Sequence, residues 1–152
     1  MVSGLANGVD TYAHRGALDG GGGTIAILST SPKEKIYPEE NKDLAEEIRK
    51  KGALIYPFEL PFWEANKVYG KIEHSKSRRI LRFLERDILL AKLCPVIIAV
   101  SNKKISGGTK WAVNYGVTYE KSVHQYNRQG KQIPLNFLSA EIDWKTELNL
   151  FS

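Results

Sequence analysis

Two glycine-bearing segments stand out for the chemistry their backbones offer. The first is Ser3-Gly4-Leu5-Ala6-Asn7-Gly8-Val9-Asp10 and the second is Ile105-Ser106-Gly107-Gly108-Thr109-Lys110. Glycine carries no Cβ, so the backbone at such turns can approach an anion closely, and the first amides of a following helix point at it. Phosphate binding is the chemistry this predicts. Its expected contributors are Ser3, Gly4, Gly8 and Asp10 in one segment and Ser106, Gly107, Gly108, Thr109 and Lys110 in the other. Neither segment is a GxGxxG or a GxxxxGK[ST], so neither identifies a standard nucleotide fold. A single loop of this kind is more often a plain tight turn, whereas two on one edge of a sheet favour a ligand.

Groups for acid–base or covalent work are sparser. His14 follows Asp10 by four residues, a spacing at which the pair can hydrogen-bond on one helix face. Support of the first loop is the favoured reading of that pair, ahead of chemistry. His74 and His124 stand apart from any serine or cysteine motif. Cys94, the single cysteine, ends a helical pattern before an apolar run, so a buried, inert thiol is expected. It has no partner for a disulfide and no CxxC for zinc. Asp10, Glu85 and Asp87 lack metal-ligand spacing. The expectation is a binding protein without an active site, a metal or a cofactor.

The net charge of +5 is unevenly spread. Between Lys67 and Lys92, eight positive residues (Lys67, Lys71, Lys76, Arg78, Arg79, Arg82, Arg86 and Lys92) face three negative ones, which equals the whole excess. The same stretch spaces Ile80, Leu81, Leu84, Ile88, Leu89 and Leu93 as an amphipathic helix does. Arg78, Arg79, Arg82 and Arg86 are therefore candidates for contact with phosphates or acidic lipid heads, the other reading being a solvated outer face.

These groups need elements to position them, and the hydrophobic pattern supplies an alternation. Val2 and Ser3 read as the end of a strand. Asp10 reads as the N-cap of a helix running to about Gly20, where four glycines stop it. A strand is predicted over Thr24 to Leu28, a helix over about Asn41 to Lys51, and a strand over Ala53 to Tyr56. The basic helix covers about Ser75 to Leu93 and the next strand Val96 to Val100. A helix over about Gly108 to Tyr119 and a strand near Ser122 to Tyr126 complete the series. Apolar strands separated by helices indicate βαβ units and a buried parallel sheet, which places both glycine loops on one carboxyl-end rim. The domain is expected over 1–128. Residues 129–152 form a tail whose Trp144, Leu148, Leu150 and Phe151 pack on the domain or on a partner, with a homodimer as the expected form.

Composition sets the outer bounds. The 152 residues suit one domain, and 42% hydrophobic with 26% charged residues excludes wholesale disorder. The longest apolar runs are far short of the roughly 20 residues that cross a bilayer, and no secretory signal opens the chain. A soluble cytoplasmic protein is expected, without membrane contact.

Several of these segments resemble one family. Val2-Ser-Gly-Leu-Ala-Asn-Gly-Val-Asp-Thr-Tyr-Ala-His-Arg-Gly-Ala-Leu18 is similar to the SGLAxGID-xxAHxGAL hallmark of the DprA/Smf DNA-processing family. Thr24-Ile-Ala-Ile-Leu28, Tyr37-Pro-Glu-Glu-Asn41 and Lys51-Gly-Ala-Leu-Ile55 follow in that family's order and spacing. The resemblance implies a Rossmann-like α/β three-layer sandwich with a mostly parallel sheet that binds single-stranded DNA. It also implies work with a RecA-type recombinase on incoming DNA during natural transformation.

The sequence departs from the family in three places. The family's first strand–helix unit, with its G-[ST]-R loop, has no counterpart, so the fold is expected without it. Arg82-Phe-Leu-Glu-Arg-Asp-Ile-Leu-Leu-Ala-Lys-Leu-Cys94 matches the family's F-P-x-R-N-R-I-I-A-x-L-S only loosely, through Arg86. The loop at Ser106 to Thr109 looks like that of nucleotide-binding relatives, which keeps a sensor of a nucleotide-like molecule as the second reading. Ala112 stands where the related phosphoribohydrolases carry a glutamate, which argues against hydrolysis.

Overall fold

Parallel strands cannot be joined by tight turns, so each pair needs a crossover, and the chain supplies helices for that purpose. A computed structural model of the protein describes residues 1–61 and 75–136, with the backbone alone over 75–80. The chain forms two units, Met1–Arg82 and Phe83–Ser152. Its strands make two three-stranded sheets, one in each unit.

In the first unit, strands β1 (Val2–Ser3), β2 (Ile25–Ile27) and β3 (Ala53–Ile55) run parallel in that order, with Ser3 opposite Ala26 and Ile27 opposite Ile55. Helices α1 (Val9–Asp19) and α2 (Lys42–Lys51) provide the crossovers, α2 being entered through a 3-10 turn at Glu39–Asn41. Leu44, Ala45 and Ile48 form the buried stripe of α2 and join Leu5, Leu18, Ala26 and Leu28 in the core. Its outer face carries the Arg49–Glu46 and Lys51–Glu47 pairs at 3.4 and 3.0 Å. These exposed pairs each add at most a few tenths of a kcal/mol, on the order of 0.3, so burial of the stripe holds the helix.

In the second unit, β4 (Val96–Val100) pairs in parallel with β5 (Ser122–Tyr126), and α4 (Gly107–Thr118) makes the crossover between them. The basic helix α3 (Ser75–Leu93) precedes β4. Ala99, Ile105 and Val113 form the small core, with Ile97 and Val123 packed against it. Gly116 lets α4 approach the sheet, because a Cβ there would overlap the Ile97 side chain and crowd Val123.

The architecture is α/β and Rossmann-like in its parallel strands and helical crossovers. Two local features differ from the expectation. The N-cap of α1 is Gly8, and Asp10 lies inside the first turn. A further strand, β6 (Gln132–Ile133), pairs antiparallel with β5, so residues past 128 extend the sheet. The hairpin forms because Asn127 Oδ1 accepts the amides of Gln129 and Lys131 at 3.0 and 2.8 Å, and Gly130 takes φ +78. Tail residues 137–152, including Trp144, Leu148, Leu150 and Phe151, lie outside the described residues.

Gly52 closes α2 with its Cα against the Thr24 backbone, and a Cβ would collide with the Thr24 carbonyl. Gly16, inside α1, has open space around it. Gly52→Ala is therefore expected to lose about 3 kcal/mol in urea unfolding, as overpacking against rigid backbone does. Gly16→Ala should gain about 0.5–1 kcal/mol from helix propensity. Equal stabilities for the two variants would show that α2 and β2 do not meet through Gly52.

Candidate functional site

The loop between β1 and α1 is held from three directions. Leu5 sits in the left-handed region at φ 61 with its side chain fully buried, so the turn is anchored in the core. The Asp10 carboxylate accepts the amides of Gly4 and Ala6, each at 3.1 Å, through one oxygen. Thr11 Oγ1 donates to the Ala6 carbonyl at 3.0 Å, and Asn41 Nδ2 donates to the Leu5 carbonyl and to Thr11 Oγ1, both at 2.9 Å. Asp10 thus fills the anion-accepting amides at the front of the loop. Ser3 belongs to β1, and the Gly4 amide is taken by Asp10, so the front of the loop is closed and the Gly8 end remains. There α1 begins without a side-chain cap, and its first amides have no intrahelical acceptor. Thr11 and Asn41 were not legible as loop supports; the only signal was the place of Asn41 in the Tyr37-Pro-Glu-Glu-Asn41 resemblance.

His14 serves the fold. Its ring is buried, and Nδ1 lies 2.8 Å from Thr24 Oγ1, whose own proton goes to the Met1 carbonyl at 3.0 Å. Nδ1 must therefore carry the proton, which leaves Nε2 buried without a hydrogen-bond partner. Asp10 is engaged on the loop, so the expected i, i+4 hydrogen bond is not formed. Burial lowers the His14 pKa, with the negative charge of Asp10 pulling weakly the other way.

The second loop is differently built. Ser106 is extended, at φ −146, and caps α4 without a side-chain hydrogen bond; Gly107 follows at φ +60. The first turn holds no acidic residue and contains Lys110, whose Nζ lies 5.7 Å from the Trp111 ring centroid. Gln125 Nε2 fixes the approach to this loop through the Ser101 and Lys103 carbonyls at 2.9 and 3.0 Å, and buried Ile105 anchors it. The start of α4 at Ser106 to Lys110 is thus uncapped, carries a lysine and holds no carboxylate, which makes it electropositive, whereas Asp10 sits in the first turn of α1.

Two arginines of the basic helix are engaged inside the protein. Arg82 is buried: Nη1 pairs with Glu34 at 2.8 Å, Nη2 donates to the Leu60 carbonyl, and the guanidinium lies 4.8 Å from the Phe58 ring centroid. Arg86 pairs with Asp87 at 3.0 Å, both largely buried. These two guanidinia are committed to the fold, while the side chains of Arg78 and Arg79, and all of His74, lie outside the described residues. Over 96–136, by contrast, six positive residues oppose Glu120 alone. Cys94 is half-buried and desolvation raises its pKa, which keeps the thiol protonated. Among the described residues no cluster of His, Cys, Asp or Glu suits a metal, and no helix is long and apolar enough to cross a membrane.

Known proteins resemble this chain in sequence and fold. The sequence profile of the family described as DNA recombination-mediator protein A matches residues 1–136. DNA processing protein DprA of Streptococcus pneumoniae is 34% identical over 107 residues, 70% of this chain and 33% of that protein. Protein Smf of Synechocystis sp. is 44% identical over 59 residues, 38% of this chain and 15% of that one. The X-ray structure of DprA from Streptococcus pneumoniae matches with a TM-score of 0.58 at 29% identity, covering 82% of this chain and 38% of that one. The chain thus spans one third or less of the length of these curated relatives.

Two outcomes follow from the buried groups. The unfolded histidine titrates near about 6.5 and His14 in the fold titrates lower, so between the two values the unfolded state binds the extra proton. Stability is then full above about pH 6.5 and falls as pH drops through that window. Urea midpoints between pH 7.5 and 5.5 should decline in the native chain and decline less in His14→Asn, whose amide can still reach Thr24; identical slopes would clear His14. Arg82→Gln should lose about 3 kcal/mol by stripping Glu34 of its cation, as broken buried pairs do. A Lys103→Gln control should be neutral, and equal stability of the two would refute the pair's role.

Proposed function

Because the chain belongs to the DNA recombination-mediator protein A family, the DprA/Smf DNA-processing proteins, we propose that it binds single-stranded DNA through the loop that opens α4. The observation that carries this reading is the uncapped, carboxylate-free start of α4 at Ser106 to Lys110, set among cations of the 96–136 segment. Backbone amides there take a phosphate and Lys110 adds a charge; the Gly8 end of the first loop, in the other unit, is a separate and weaker anion position. DNA bound in this way is handed to a RecA-type recombinase, and the working form is a homodimer; both statements extend the family resemblance. The role is one of binding, since Ala112 replaces the glutamate that the hydrolytic relatives would need. A nucleotide-like small molecule is the competing occupant, because a single helix start holds a single phosphate group well.

Gly108 gives the clean test. It has open space around it and no positive φ, unlike Gly107 at φ +60, so alanine adds only a methyl group at the cradle. Gly108→Ala should weaken binding of an oligodeoxynucleotide at least tenfold, about 1.4 kcal/mol, with an unchanged melting temperature. Lys110→Gln should flatten the salt dependence by about 0.7 in slope, the share of a single neutralised phosphate. Full affinity in Gly108→Ala would reduce the loop to a tight turn. Salt-insensitive binding that a mononucleotide competes away would favour the small molecule.

A further inference from the structure

The sheet of the second unit has two unlike faces. Ile97, Ala99, Val123 and Gln125 point towards α4 and the core. Alternation turns their neighbours the other way, and the register sets Val96 beside Ser122, Ile98 beside His124 and Tyr126 beside Gln132. Val96 is 47% and Ile98 61% exposed, which is high for branched apolar residues in a sheet of this kind. The polar members of this face form a chain. Tyr126 Oη donates to Gln132 Oε1 at 3.3 Å, Gln132 Nε2 donates to His124 Nδ1 at 3.2 Å, and His124 Nε2 then donates to Ser122 Oγ at 2.8 Å. In that sequence of donors the Ser122 proton and the second amide proton of Gln132 remain free to meet a ligand.

Charge says what sort of ligand. Lys103, Lys104, Lys110, Lys121, Arg128 and Lys131 belong to this sheet's strands, turns and helix, and none makes an ion pair among the described residues. The Arg128 amide donates to Asn102 Oδ1 at 2.7 Å, which ties the β5–β6 turn to the loop after β4 and gathers cations at one end of the strands. Flat rings, apolar side chains beside them, free hydrogen-bonding edges and a cationic border suit the stacking of unpaired bases while phosphates run along the rim. A duplex hides its base faces and cannot use such a surface.

The geometry points to this face, centred on His124 and Tyr126 of β5 with Ile98 of β4 beside His124, as a platform on which the bases of single-stranded DNA stack. The inference rests on the proposed single-stranded DNA binding and adds the surface that distinguishes bases from bare phosphates. Stacking is tolerant of base identity, so the platform selects for strandedness and not for sequence.

The full chain is titrated by fluorescence anisotropy with an oligodeoxythymidylate, an abasic oligomer of equal length and charge, and a duplex. The native protein should bind the oligodeoxythymidylate about tenfold or more tightly than the other two. The His124→Ala/Tyr126→Ala double variant should lose that preference while keeping its affinity for the abasic oligomer and its salt slope. Ultraviolet crosslinking of the native chain to a 5-bromodeoxyuridine oligomer, with adducts mapped to β5, gives a second readout that needs no variant. Equal affinity of the native protein for thymidylate and abasic oligomers, or an unaltered preference in a folded double variant, overturns the platform and leaves phosphate binding standing. Adducts confined to other segments do the same. Failure of the native chain to bind either oligomer removes the single-stranded DNA reading and the platform together. A dimer that Ile98→Asp dissociates in sedimentation, with DNA affinity intact, assigns the face to a second copy instead.

Discussion

One carboxylate organises the amino-terminal end of the molecule. By accepting the Gly4 and Ala6 amides, Asp10 replaces the backbone partners that a loop so rich in unpaired donors would lack. Leu5 can then stay in the left-handed region, at a cost on the order of 1–2 kcal/mol that its complete burial offsets. Asn41 and Thr11 close the same turn from α2 and α1. Loop, helix start and core are therefore one construction, and a change at Asp10 would be felt at Leu5 before it was felt by any ligand.

The same carboxylate separates two loops that look alike in sequence. Composition treats Ser3 to Asp10 and Ile105 to Lys110 as equivalent glycine turns. In the fold, one has an internal anion already seated on its amides, while the other begins a helix with a lysine and no acid. That difference is a tertiary fact, because it depends on which way the Asp10 side chain turns. Residue types alone do not carry it.

Elements were far more legible than partners. Strand β4 and helix α3 were readable to the residue, since a uniform apolar run and a continuous amphipathic stripe leave little choice, and β5 followed as the strand after the α4 crossover. β6 escaped because two residues carry no periodicity, and its only herald was the Asn127 to Gly130 turn. For two of the charges the sequence hid the partners. Arg82 and Arg86 count towards a basic helix in any tally of the sequence, yet their guanidinia neutralise Glu34 and Asp87 inside the protein. The opposite holds for residues 96–136, whose cations are scattered in sequence and so draw no notice until strand pairing collects them.

The ion pair between Glu34 and Arg82 spans 48 positions and completes the first unit with a residue from the middle of α3. During synthesis the chain emerges from its amino terminus, and the three parallel strands are available once residue 55 is out. Glu34 must wait for some 27 further residues before its cation arrives. Until then the Glu34 carboxylate has the Ser31 amide at 2.7 Å but not the Arg82 guanidinium that neutralises its charge. Completion of the first unit is thereby coupled to the appearance of the helix that leads into the second, which imposes a timetable on translation that neither unit alone would reveal.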